Sequence, residues 1–154
     1  MSPLTTPRVV WLAAAVCLLT GCGREPAQNA AAARAARESA LLPKENVLEV
    51  KVVPKELLGK PFMPGGTIAR YQKGKDSYEI FLSELPSETD SAIVIAHWDG
   101  ALKNPKVIRS LDAYYGLDGQ RPVYVFAKGH WVAGITGLPE QEADQQARRL
   151  AGRL

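Results

Sequence analysis

Apolar and polar positions divide this chain into three stretches of different character. Residues 9–19 form an unbroken apolar run. Residues 23–40 are dominated by alanine, with Arg34, Arg37 and Glu38 as punctuation. From about Leu41 to the end, short apolar segments alternate with turn signals. In this last stretch, 46–53 alternates apolar and polar residues as a half-buried strand does, and Pro54 ends it. Leu57 and Leu58 follow in a short turn, and Gly59, Pro61, Pro64, Gly65 and Gly66 mark a loop long enough to carry contacts. Segments 67–71 and 77–82 flank residues 72–76 and predict an antiparallel hairpin. A second hairpin pairs 122–127 with 130–136 through Lys128-Gly129, a two-residue turn in which glycine takes positive φ.

The C-terminal segment predicts a helix. Pro139 and Glu140 suit its first turn, Ala143, Ala147, Leu150, Ala151 and Leu154 form an apolar stripe, and Arg148, Arg149 and Arg153 suit its negative end. Two middle segments are ambiguous. Residues 91–98 have the β-branched content of a buried strand. Yet Ser87 and Asp90 stand in capping-box spacing, and the pattern runs on to Asn104-Pro105, which favours a helix. Residues 106–115 suit either a helix start or a strand entering the turn at 116–120. Together these elements predict an α+β domain, with an antiparallel sheet of about five strands covered by a middle helix and a C-terminal helix. The meander followed by Gly134-Ile135-Thr136-Gly137-Leu138-Pro139 and a last helix resembles the PsbP-like group of small α+β domains, a likeness of fold that implies no function.

The apolar run at 9–19 is preceded by Arg8 and no acid, and closes on small residues, the layout of an export signal. It is shorter than the ~20 apolar residues a membrane-spanning helix needs. It ends in Leu19-Thr20-Gly21-Cys22, which resembles the lipobox of bacterial lipoproteins. The resemblance implies cleavage between Gly21 and Cys22, a thioether-linked diacylglycerol on the Cys22 sulfur and acylation of the new amine. Several acyl chains at ~0.8 kcal/mol per buried CH₂ anchor a protein stably. Gly23 stands where an aspartate is associated with inner-membrane retention, so in a cell with two membranes the resemblance implies the outer one. The expected organisation is a signal peptide at 1–21, a lipidated cysteine and alanine-rich tether at 22–42, and one domain at 43–154. That domain faces the periplasm or the cell exterior. The alanine stretch has no side chains able to join a core, so of two readings, a flexible tether or a partly helical spacer, the tether is preferred, dispensable for folding.

The chain has two cysteines. Cys17 leaves with the signal and Cys22 is consumed by lipid, so the domain has no thiol for a disulfide, a nucleophile or a metal. Nineteen basic residues against sixteen acids, interleaved, give no basic stripe for nucleic acid.

Candidate chemistry is sparse. The two histidines each precede a tryptophan, as His97-Trp98 and His130-Trp131. With Asp99, Asp112 or Glu84 they are the material for a metal or general-base site, but their spacing matches no metal motif and reads as packing. There is no Gly-x-Ser-x-Gly elbow, and Pro64-Gly65-Gly66-Thr67 lacks the Lys-Ser/Thr ending of a phosphate-binding loop. Glu84, Glu88 and Asp90 lack the spacing of a calcium loop. Tyr114 and Tyr115, with Tyr124, Phe126 and Trp131, are candidates to line an apolar groove. The expectation is a membrane-tethered binding or adaptor module without cofactor or metal. Its partners are the membrane, through the lipid, and another envelope protein. The alternatives are a small hydrolase or metal-dependent enzyme using His97 or His130, and a carrier of an apolar ligand.

Overall fold

The computed structural model describes residues 26–154. The expected export signal, with Gly21 and Cys22, lies outside the described residues. Among those described, no helix is long and apolar enough to cross a membrane.

The sheet is built from two antiparallel meanders. The first comprises β1 (Val47–Lys55), β2 (Pro64–Lys73) and β3 (Asp76–Glu84). The second comprises β4 (Lys103–Ile108), β5 (Ala113–Asp118), β6 (Arg121–Lys128) and β7 (Trp131–Thr136). Pairing of β3 with β7 joins them into one seven-stranded sheet of order β1-β2-β3-β7-β6-β5-β4. The α+β class is as expected, but the sheet has seven strands instead of about five. The difference lies partly in the ambiguous stretch after the middle helix, where β4 and β5 form a hairpin. Asn104 and Asp112 there take φ of 53° and 47°, a conformation that short polar side chains tolerate best.

Turn chemistry sets the other hairpins. Lys73 pairs with Asp76 across Gly74-Lys75, and Lys128 pairs with Trp131 across Gly129-His130. The second turn lies one residue later than expected because Gly129 (φ 56°) takes its first position, which puts His130 in the turn instead of the strand.

The central strands are covered on both faces. Ile80, Leu82, Tyr124, Phe126, Trp131, Ala133 and Ile135 point to one face, under helix α3 (Glu140–Ala151) with its buried Ala143, Ala147, Leu150 and Ala151. Phe81, Val123, Val125 and Val132 point to the other, under α2 (Glu88–Ala101) with Val94 and Trp98. Residues 91–98 are therefore helical, and Ser87 caps that helix by accepting from the Asp90 N–H at 3.1 Å. Trp98 centres its layer, stacked on Phe81 and donating through Nε1 to Met63 Sδ at 3.2 Å.

Two regions differ from expectation. Residues 26–41, read as a flexible tether, form α1 (Pro26–Leu41), which lies on the same face as α3 against the first meander. Its alanines favour helix, and its last turns are fixed by a polar side chain, Glu38, with Leu42 entering the core just beyond. Strand β1, read as half-buried, is exposed along almost its whole length because it is the outermost strand and no helix covers it fully.

Candidate functional site

Four charged side chains converge where α1 passes the end of the sheet. Arg34, Arg37 and Glu38 occupy successive positions of one helical face, since residues three and four apart are neighbours on a helix. Glu84 is the last residue of β3, and His130, in the β6–β7 turn, comes beside it because Glu84 pairs with Trp131.

Glu38 is fully buried. Its Oε2 accepts from Thr67 Oγ1 at 2.7 Å, its Oε1 accepts from the Glu84 backbone N–H at 3.0 Å, and Arg34 Nε lies 3.5 Å from Oε1. Burial raises this carboxyl above its ordinary value of 4.5, outweighing the two hydrogen bonds and Arg34, which act in the opposite direction. The Arg34 contact is a charge contact and not a hydrogen bond: Nε is a buried donor without a hydrogen-bond acceptor.

Arg37 donates twice to Glu84 Oε2, from Nη2 at 2.6 Å and Nε at 3.0 Å. The other carboxylate oxygen of Glu84 lies 3.7 Å from His130 Nε2. Between these groups runs an open groove of about 690 Å³, lined by Ala30, Ala31, Arg34 and Arg37 of α1 and by Pro64, Leu85, Pro86, Glu84 and His130. Its lining holds no hydroxyl, thiol or amine nucleophile. Pro64, Leu85 and Pro86 also wall a second groove of about 380 Å³ on the α2 side, with Phe62, Met63, Asp90, Ile93 and Val94. The two grooves, the second mostly apolar, thus share a wall.

Of the candidate chemistry weighed in the sequence, His130 and Glu84 enter this site, with Glu84 the one of the three weighed carboxylates that stands beside that histidine. His97 is on the exposed side of α2, stacked on Phe62 at 5.4 Å. No cluster of three or more metal-ligating side chains occurs among the described residues. Tyr114 and Tyr115 line no common groove: successive strand residues point to opposite faces, Tyr114 to the α2 layer and Tyr115 to the α3 layer. Tyr124, Phe126 and Trp131 lie in the core beneath α3. Gly65 and Gly66 form no phosphate cradle. They are inside β2, where a Cβ would meet the carbonyl oxygens of Pro54 at 2.2 Å and Leu82 at 2.4 Å.

Arg34, Arg37 and Glu38 were missed as a site because alanine surroundings give no sign of docking. The available signal was their i, i+3, i+4 spacing on one face of a strongly helix-forming segment.

No family model and no curated protein matches the chain. Among solved structures, it is similar to a protein described as a GTP-binding regulator from Thermotoga maritima, with a TM-score of 0.57 and 8% sequence identity. The alignment covers 77% of this chain and 84% of that one. At this identity the likeness is one of fold.

Proposed function

We propose that this chain is a non-catalytic, membrane-tethered binding lipoprotein whose groove beside α1 takes a small ligand bearing an acidic group and an apolar body. The observation that carries the reading is the pairing of Arg34 and Arg37 with a wall, Pro64, Leu85 and Pro86, that opens onto the mostly apolar groove. Arginine presents a planar fork of donors suited to carboxylate or phosphate oxygens. Arg34 makes no hydrogen bond through its buried Nε, which rests 3.5 Å from Glu38 Oε1, so this guanidinium is held by charge and not by a bidentate pair. A pocket of this size, mostly apolar with a few convergent polar groups, has the make-up of a small-molecule site.

The lipobox supports placing this groove at a membrane surface. Cys22 precedes the start of α1 by four residues, and a 16-residue helix is about 24 Å long, so the groove-lining half of α1 lies within a few tens of ångströms of a lipid anchor. A helix docked on the sheet, in place of a loose tether, shortens the span of chain between the groove and that anchor. The GTP-binding description of the fold neighbour adds nucleoside triphosphates to the acids worth testing.

The test is a thermal-shift and calorimetric series on the full chain with decanoate, acetate, inorganic phosphate and GTP. Decanoate is expected to raise the midpoint and acetate to leave it unchanged, with the decanoate effect lost in Arg37→Ala. If none of the four binds, the reading fails. If GTP alone binds, the apolar half of the reading fails.

A further inference from the structure

Among the described residues the outer edge of β1 is unpaired, and its side chains are an anomaly for a terminal strand. Val50 and Val52 are 49% and 48% exposed on one face, and Leu48, in the bulge between Val47 and Glu49, is 55% exposed. That face is the one carrying α1, since Val50 stands opposite Ala69 and Val52 opposite Thr67. Glu49 and Lys51 point to the other face, opposite Arg70 and Ile68. The opposite edge of the sheet is built differently. In β4 a register shift, Pro105, a left-handed Asn104 and the lysines at 103 and 106 interrupt the ladder, as edges guarded against pairing are interrupted. In β1 the stretch from Glu49 to Val53 pairs with β2 without irregularity, and the bulge before Glu49 and Pro54 close it at either end.

About Val50 this edge is complementary in charge: Glu49 and Lys51 stand one residue to either side, so a two-fold at Val50 brings each against the other. We infer that β1 is the docking edge for a second copy of this chain, paired antiparallel about a two-fold axis at Val50. In that register Val50 faces its own symmetry mate, and Val52 of each copy reaches toward the bulge of the other. Each Glu49 faces a Lys51, twice per interface. The axis is perpendicular to the sheet, so both exposed apolar rows fall on one face and continue each other, flanked by the two copies of α1. Any shift of one residue breaks both features at once, because side chains then change faces. Glu49 lies 3.9 Å from Arg70 within its own chain, a loose and exposed contact that leaves the carboxylate available. The two-fold makes the interface self-complementary, as isologous interfaces must be.

The experiment is on the full chain in detergent, by sedimentation velocity and by oxidative cross-linking. The wild type is expected to sediment as a concentration-dependent dimer. Opposed residues of antiparallel strands have Cα atoms about 4.5–5.5 Å apart, within disulfide reach. Val50→Cys should therefore cross-link to a covalent dimer above the background set by Cys17 and Cys22 in the wild type. Lys75→Cys, at a hairpin tip, should not. Glu49→Lys and Lys51→Glu should each weaken the dimer about tenfold or more, because every substitution puts like charges opposite each other twice. The double exchange Glu49→Lys/Lys51→Glu should restore it, with the thermal midpoint of the monomer unchanged across the series. A monomeric wild type at all concentrations, an absent Val50→Cys cross-link, or a double exchange no tighter than its single parents would each overturn the inference.

Discussion

The hydroxyl of Tyr124 donates a 2.8 Å hydrogen bond to Asp144 Oδ1, tying the middle of β6 to α3 at the edge of the core. Ser110 Oγ, from the β4–β5 turn, donates to the same oxygen at 3.0 Å, and Arg148 Nε donates to Oδ2 at 2.7 Å. Burial pushes the Asp144 carboxyl up, but the bonds from Arg148, Tyr124 and Ser110 outweigh it and hold the group below its ordinary value of 3.8. Tyr124→Phe is expected to cost about 1 kcal/mol. Asp144→Ala should cost about 2 kcal/mol, because it strands a buried hydroxyl, and the double variant less than the sum. Urea denaturation of the four proteins checks this.

Glu38 responds to pH with the opposite sign. Its folded value is raised above 4.5, so the fold prefers it protonated. Its contribution is fully present below about pH 4.5 and declines as the pH rises through the folded value. Asp144, held low, contributes above 3.8 and is lost as the pH falls through its own folded value. In Glu38→Gln the upper-side decline should vanish, so the gap in urea midpoint between variant and wild type changes steadily above pH 4.5. A gap that stays constant from pH 4.5 to 8 would show that the carboxyl does not titrate with unfolding.

Gly134 is a tight place at the centre of the sheet. A Cβ there would lie 2.3 Å from the Tyr124 carbonyl oxygen and 2.4 Å from Phe81 Cζ, the ring that covers it from the paired position on β3. Neither a central-strand carbonyl nor a ring packed between two strands can give way cheaply. Gly134→Ala should therefore cost about 3 kcal/mol or more, read as a drop in thermal midpoint, whereas Gly100→Ala, with open space around it, should not lower it.

Removing α1 tests whether the alanine segment is more than a spacer. A chain starting at Pro43 loses Glu38 from Thr67 and from the Glu84 N–H, and Leu42 from the core. Its midpoint should fall by about 5 °C or more. An unchanged midpoint would restore the flexible-tether reading.

Cys22→Ala should abolish incorporation of labelled fatty acid and release the chain from the membrane fraction. A variant that still matures and partitions into membranes would show a different anchor.

The elements legible in the sequence are those whose signals are local. Period-two runs with Gly74 and Gly129 between them announce two hairpins. The Ala143–Ala147–Leu150–Ala151 stripe, bracketed by acids and arginines, announces α3. Ser87 decides residues 88–101 against their β-branched content. What was hidden depends on partners far along the chain. The alternation in β1 is that of a half-buried strand, yet nothing within it tells that it is outermost. Tyr114 and Tyr115 looked like a pair until strand parity put them on opposite faces. Arg37 and Glu84, 47 residues apart, are joined only by the way α1 folds back over β3.

The join between the two meanders bears on when this chain becomes a folded object. Strand β3 ends at Glu84, and its neighbour β7 begins only at Trp131, after every other strand has been made. Until that last strand and α3 arrive, Ile80, Phe81 and Leu82 belong to an open, apolar edge, and neither layer has its floor. Formation of the core is thus deferred until β7 and α3 have been made, with the loop closure postponed alongside it. Until then a nascent chain of this topology stays threadable, the condition under which a polypeptide passes through a narrow pore and folds on the far side.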